Sequence, residues 1–317
     1  MSTVSPAPLP RAPGTGSATV RRRPTPAWAN RILLANLVGQ VSIVVTGGIV
    51  RLSGSGLGCS TWPQCEPGRF LPALHEATSW HPAIEFGNRT LGGLLAVLAL
   101  ATAWVVWPQR ERALSFRLLG LVPVVGVGVQ AVVGGLTVIW QLHPAWVSGH
   151  FLISMLLVAA STALLVRNRE GDGPPVPLVG RRVRNLGWAL APLAALVLAL
   201  GVVVTGSGPH SGDSEVGYRF ALDPVVVSRM HAAAAGLFLG VVVALLLVVH
   251  LRNTPTRVRR AVVVLGVVTL AQGVVGYVQY FTGLPEVLVG VHMLGASLLV
   301  VVLVRALLAL RDRPPSP

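Results

Sequence analysis

Eight separate apolar runs, each about 19–26 residues long, dominate this 317-residue chain. They cover roughly 32–50, 84–107, 117–139, 147–166, 186–205, 225–250, 261–281 and 287–308. At about 1.5 Å of rise per residue, each crosses a hydrocarbon core of about 30 Å as a helix. A bilayer interior offers the backbone no water, so a spanning segment must satisfy its amides within a helix or a closed barrel. Barrel strands would read as short segments of alternating hydrophobicity, and this chain has none. A composition with 53% hydrophobic and 11% charged residues excludes an ordinary soluble domain. The expected fold is an all-α polytopic membrane protein with eight transmembrane helices.

The formal charge of +14 could suggest nucleic acid, but its placement argues against that. Every basic residue is Arg, and 20 of the 25 fall in the N-terminal tail, three loops (108–117, 167–184, 252–260) and the C-terminal end. These segments share one side of an eight-span chain. The positive-inside rule then places both termini in the cytoplasm. Membrane lipid is the expected anionic partner, with no nucleic acid. Residues 1–30 form a Pro-, Ser-, Thr- and Arg-rich stretch, expected to be a disordered cytoplasmic tail. No cleavable signal is evident, because the first apolar run is of span length. The absence of Lys, with abundant Ala, Val and Gly, points to a bacterial cell membrane.

The spans form two copies of one unit. Gln130-Ala-Val-Val-Gly-Gly leads through Leu142 and Val147 to His150, and Gln272-Gly-Val-Val-Gly-Tyr leads through Leu284 and Val289 to His292. Helix 1 ends Val44-Val45-Thr46-Gly47 where helix 5 ends Val203-Val204-Thr205-Gly206. An even number of helices per unit makes the copies parallel, related by a pseudo-twofold axis along the membrane normal. The expected organisation is a four-helix half at 31–166, a cytoplasmic linker at 167–185, a second half at 186–308 and a tail at 309–317.

His150, His231 and His292 each sit a few residues inside the outer end of an even-numbered helix, so they share one depth. Intramembrane imidazoles at matched positions are candidate haem-iron ligands; the bland alternative is packing against backbone or Gln. His231 and His292 together would make a bis-imidazole site. In the first half the place of His231 is taken by Asn88, a poor iron ligand. Small residues follow one turn later at Gly92, Ser154, Ala235 and Ala296, leaving room for a flat macrocycle or simply for tight helix packing. Glu85 shares a face with Asn88 and has no counterpart in the second half. It could act as a proton acceptor, or it could merely favour the helix N-terminus. Cys59 and Cys65 lie in the longest outside loop, as a structural bridge or a redox pair. Arg51, Arg89, Arg219 and Arg229 lie at outer helix ends, where they could meet haem propionates or lipid headgroups. Gln130 and Gln272 are expected to hydrogen-bond across helices as scaffold. His75, His81, His143 and His210 receive no role, and His250 is read as interfacial.

These residues resemble the haem A synthase family of bacteria and mitochondria. The resemblance rests on Thr46-Gly-Gly-Ile-Val-Arg51-Leu-Ser-Gly-Ser-Gly-Leu-Gly-Cys59, Trp62-Pro-Gln-Cys65, Glu85-x-x-x-Arg89 and the three histidines, between residues 32 and 305. It implies an oxidoreductase that converts the C8 methyl of haem O to a formyl group by successive hydroxylations, giving haem A for terminal oxidases. It further implies that His231 and His292 ligate haem b, that His150 serves the substrate haem, that Glu85 is catalytic, and that Cys59 and Cys65 form a disulfide. A haem O synthase and oxidase assembly factors are the implied partners. One departure is visible. Many members read Glu-x-x-His-Arg where this chain has Glu85-Phe-Gly-Asn88-Arg89, so His150 alone is expected to ligate the substrate haem. The rival reading is a non-catalytic diheme membrane cytochrome exchanging electrons with quinone. A third, a duplicated transporter, would carry no haem.

Overall fold

The computed structural model describes residues 27–72, 80–213, 215–252 and 254–315. Among the described residues eight helices make up the fold: α1 (Ala27–Leu52), α2 (His81–Val106), α3 (Leu114–Ile139), α4 (Pro144–Arg167), α5 (Arg181–Ser207), α6 (Pro224–Leu251), α7 (Thr256–Phe281) and α8 (Glu286–Ala309). All eight are long and apolar enough to cross a membrane, and the chain is an all-α polytopic membrane protein. Most helices start several residues before the apolar run does. Pro82, Pro144 and Pro224 open α2, α4 and α6, where proline's missing N–H costs nothing. These polar or proline-led first turns are invisible to hydropathy. Likewise α1 takes in residues 27–30, assigned above to the tail, and α5 begins at Arg181, inside the stretch assigned to the linker. The rest of the N-terminal tail lies outside the described residues, as does His75.

Helices α1 to α4 pack as one ring (α1·α2, α2·α3, α3·α4, α1·α4) and α5 to α8 as a second. The rings meet through α8 against α1 and α4, and through α4 against α5. Outer faces are apolar and bare: Leu94, Val97 and Leu100 on α2, and Val267, Leu270 and Val274 on α7, are exposed. In water such surface would drive aggregation; in a bilayer it is the lipid contact.

The packed cores sit toward the arginine-rich end. In the second ring, Phe238, Val242, Leu245, Val249, Val258, Val262, Leu265 and Leu303 form one buried cluster. In the first, Leu33, Val105, Val106, Phe116 and Leu164 form a smaller plug. Leu37, Val44, Met155, Val158 and Val300 fill the seam between the rings. The opposite end of each ring is left to the histidines.

At the arginine-rich end the connection between the halves is tied down. Val176–Pro177 (β1) pairs antiparallel with Arg311–Asp312 (β2). Asp172, half-buried but with its carboxylate covered, pairs with Arg112 and accepts the Ala113 amide at 3.1 Å. Glu170 meets Arg311 at 3.1 Å.

Candidate functional site

His231 and His292 face each other across the second ring, with ring centres 6.4 Å apart. An iron held between two imidazoles, with metal–nitrogen bonds of about 2 Å, separates the ring centres by roughly 6 Å, so this pair fits a six-coordinate haem. His231 Nδ1 lies 3.0 Å from the Val197 carbonyl. A carbonyl only accepts, so Nδ1 carries the proton and Nε2 keeps the lone pair a metal needs. His292 Nδ1 is buried with no protein partner. Two glycines set the ring positions. A Cβ at Gly201 would lie 3.2 Å from His231 Cε1, and one at Gly276 would lie 3.1 Å from His292 Cε1. A Cβ at either place would be in tighter than ordinary contact, and the imidazole would have to give by a few tenths of an ångström.

The first ring repeats this arrangement on one side only. His150 lies against Gly134 as His292 lies against Gly276. Gln130 Nε2 donates to the His150 carbonyl at 2.9 Å, and Gln272 Nε2 to the His292 carbonyl at 2.8 Å. Both glutamines therefore hold the helix turn that carries the imidazole. The turns leading into those helices match as well. Leu142 and Leu284 both have positive φ, and their amides donate to Thr137 and Gln279. Opposite His150 the symmetry ends. Asn88 Oδ1 accepts from Thr46 Oγ1 at 2.7 Å, which ties the side chain to α1. His150 Nδ1 is buried without a protein partner. The small positions differ too: a Cβ at Gly92 meets nothing, whereas Ser154 is bonded to Gln130 and to the His150 carbonyl.

Glu85 anchors the cysteine loop. The Cys59–Cys65 disulfide is formed, with both residues buried. The Cys59 amide donates to Glu85 Oε2 at 2.6 Å. Arg89 Nε and a terminal nitrogen donate to Glu85 Oε1 at 3.1 and 2.5 Å. The other terminal nitrogen of Arg89 reaches the Thr61 and Gln64 carbonyls at 3.0 and 3.2 Å. One carboxylate and one guanidinium thus staple the disulfide loop to α2. The glycines of the opening motif serve the same loop. A Cβ at Gly58 would run into the His81 backbone, and one at Gly56 into the Gly212 carbonyl.

Gly56 also donates its amide to Gly212 at 2.7 Å, joining the outer loops of the two halves. Arg51 strengthens that join by donating to the carbonyls of His210 and Thr205, at 2.8 and 2.9 Å. Arg219 donates to Gly208 and Pro209. Arg229 is exposed on α6, two residues before His231. The structure therefore gives Arg51 and Arg89 backbone partners, and among the described residues leaves Arg229 as the open guanidinium nearest in sequence to one of the three candidate ligand histidines. Three histidines given no role above have structural ones: His81 bonds Ser55 at 2.8 Å, His143 caps α4, and His210 reaches the Leu284 carbonyl at 3.1 Å. The Glu85 amide bond and the Thr46–Asn88 bond had no sequence signal beyond membership of one long motif.

Comparison with known proteins identifies the family. The COX15-CtaA family, described as cytochrome oxidase assembly protein, matches residues 30–209. That segment holds the cysteine loop, Glu85, Asn88 and His150 and stops before His231. The heme A synthase of Exiguobacterium sp. (strain ATCC BAA-1283 / AT1b) is 27% identical over 172 residues, 54% of this chain and 56% of the relative. That of Lysinibacillus sphaericus is 28% identical over 188 residues, 58% of each chain. That of Bacillus pumilus is 30% identical over 155 residues, 48% of this chain and 49% of the relative. The chain spans about half the length of these curated relatives. With the family match running through more than half of its own length, from the start of α1 to the end of α5, the chain belongs to the COX15-CtaA family of cytochrome oxidase assembly proteins.

Proposed function

We propose that this chain is a haem A synthase, oxidising the C8 methyl of haem O to a formyl group in a bacterial cell membrane, with both termini in the cytoplasm. The observation that carries the proposal is the inequality of the two halves. One half holds two imidazoles at iron-bridging separation. The other keeps a single histidine at the matched depth, sets Asn88 where its partner would stand, and adds Glu85 beneath a disulfide loop. A bis-imidazole site has no open coordination position, which suits a resident haem b that carries electrons. A site with one imidazole leaves room for a macrocycle to enter and leave, as a substrate must.

In this proposal His231 and His292 hold haem b, His150 orients haem O, and Glu85 stands beside the reacting edge. Arg229 is the guanidinium available to a propionate; Arg51 and Arg89 would serve one only by giving up backbone partners. A haem O synthase is the natural supplier of substrate, and oxidase assembly factors the receivers of product. One observation favours the rival diheme cytochrome: both Glu85 oxygens are already engaged by Cys59 and Arg89. Expression with haem O supplied, followed by chromatography of the extracted pigments, separates the readings. Haem A supports the synthase. Haem b alone supports the cytochrome, and a colourless, metal-free protein overturns both.

A further inference from the structure

The interior of the first ring is polar where that of the second is apolar. Asn36, Gln40, Thr102, Ser154 and Ser161 are all buried. The correspondence Thr46 to Thr205 aligns Asn36 and Gln40 with Ala195 and Ala199. The correspondence Asn88 to His231 aligns Thr102 with Leu245, and His150 to His292 aligns Ser154 and Ser161 with Ala296 and Leu303. All five polar positions of the first ring are thus Ala or Leu in the second.

These groups are not satisfied by one another. Asn36 Nδ2 donates to Ser161 Oγ at 3.0 Å, but Asn36 Oδ1, Gln40 Nε2 and Thr102 Oγ1 are buried with no partner among the described residues. Toward the histidine, Gln130 Oε1 and His150 Nδ1 are in the same condition, but so are Gln279 Oε1 and His292 Nδ1 in the second ring, so the contrast between the rings rests on the three deeper atoms. The second ring has buried hydroxyls too, at Thr269 and Ser297, but each bonds a carbonyl of its own helix. In low dielectric, an unpaired donor or acceptor is retained only where something else satisfies it.

The vertical spacing makes these atoms a ladder. Asn36 and Gln40 are one turn apart on one face of α1. Ser161 and Ser154 are two turns apart on α4, which runs antiparallel to α1. Because Asn36 is level with Ser161, Gln40 falls between Ser161 and Ser154. Ser154 in turn bonds Gln130 and the His150 carbonyl. A polar group therefore recurs at about one per turn from mid-membrane to His150. At the other end the plug of Leu33, Val106, Phe116 and Leu164 closes the ring.

We infer that the first ring holds a blind file of ordered water, running from His150 inward along α1 and α4 to the plug, with no equivalent in the second ring. Each molecule bridges a donor and an acceptor that the protein leaves open, as buried waters do. Under the proposed function the file stores water beside the substrate haem. The test reads the water itself, so failure here and failure of that function remain distinct.

The experiment is radiolytic hydroxyl-radical labelling of the full chain in lipid nanodiscs, in heavy-oxygen water, read by mass spectrometry. Water trapped inside a protein labels the side chains beside it. Met155 is buried in the seam with Leu37 and Val44, which flank Gln40 on α1. Phe238 is equally buried in the second ring. After correction for intrinsic reactivity, Met155 takes up heavy oxygen and Phe238 does not. Gln40→Leu, and the pair Asn36→Leu with Gln40→Leu, lose the Met155 label while exposed Met230 keeps its own. A wild-type Met155 as silent as Phe238 overturns the inference, as does a label that survives Gln40→Leu. Should the double variant misfold, which labelling of Phe238 would reveal, Gln40→Leu and the wild-type comparison decide alone.

Discussion

Replacing Glu85 by Ala removes the acceptor for the Cys59 amide and the counter-charge for Arg89 in one step. Deleting one partner of a buried, hydrogen-bonded ion pair costs about 3–5 kcal/mol. Arg89 is 19% exposed and keeps the Thr61 and Gln64 carbonyls, which places the cost near the lower end, about 3 kcal/mol. That energy falls on local opening of the loop, because the staple joins only the loop to α2. Cys59 and Cys65 are buried, so a reductant reaches the disulfide through the opened loop. At about 1.4 kcal/mol per tenfold, Glu85→Ala exposes the disulfide roughly a hundredfold more often. The assay is the rate of disulfide reduction by dithiothreitol, followed by alkylation of the released thiols. A rate within about twofold of wild type would refute the staple. Arg89→Gln separates anchoring from chemistry. It leaves the carboxylate in place while weakening the same loop. If haem A formation falls with loop protection in both variants, Glu85 acts through the loop. If Arg89→Gln opens the loop yet keeps product that Glu85→Ala loses, the carboxylate acts on the substrate.

Three further outcomes are expected. Asn88→His gives the first ring a second imidazole in place of the amide tied to Thr46, so the substrate-loaded variant shows two bis-histidine haems by electron paramagnetic resonance where the wild type shows one. Gly276→Val drives a side chain into His292 and abolishes the low-spin signal of the second ring, whereas Gly273→Ala, where a Cβ meets nothing within 4 Å, leaves it intact. Asp172→Asn lowers the thermal midpoint at neutral pH through the loss of a buried pair, about 3 kcal/mol. Burial pushes the Asp172 carboxyl up, but the Arg112 and Ala113 hydrogen bonds and the charges of Arg112 and Arg167 outweigh it and hold it below its ordinary value. A depressed carboxyl stabilises the fold above its unfolded value of about 3.9 and loses that contribution as pH falls through the lower folded value. The gap between wild type and variant should therefore hold down to about pH 4 and close below it; a gap that stays undiminished well below about pH 4 contradicts the assignment.

The eight spans were legible because a bilayer leaves a length signature that needs no tertiary information. The repeat was legible for a related reason: Gln130 and Gln272 do the same job, holding the carbonyl of the histidine they precede. Helix starts were not, because a proline-led first turn reads as loop. The pairing of His231 with His292 followed from shared depth and is matched by facing rings. What stayed hidden was competition for partners. From sequence, Arg51 and Arg89 looked like free cations at outer helix ends. Folding commits both to carbonyls distant in sequence. Glu85 looked like one carboxylate near one haem position, yet its nearest charged neighbour is one turn away on its own helix. Such assignments depend on where a loop returns, and no local pattern encodes that.

The short pairing of Val176–Pro177 with Arg311–Asp312 has a consequence for how the molecule is made. Its first strand emerges between the fourth and fifth spans, and its second only after the eighth. Ribosome and translocon must therefore deliver both rings before the ladder can close. Until then Glu170, in the linker, has Arg167 and Arg257 to pair with, and Arg311, 141 residues downstream, joins them last. A chain stalled after seven spans could bury its first ring and fill part of its second, but it could not join linker to tail. The ladder thus works as a completion check, marking the moment when every span is in place and the two rings can no longer drift apart in the plane of the bilayer.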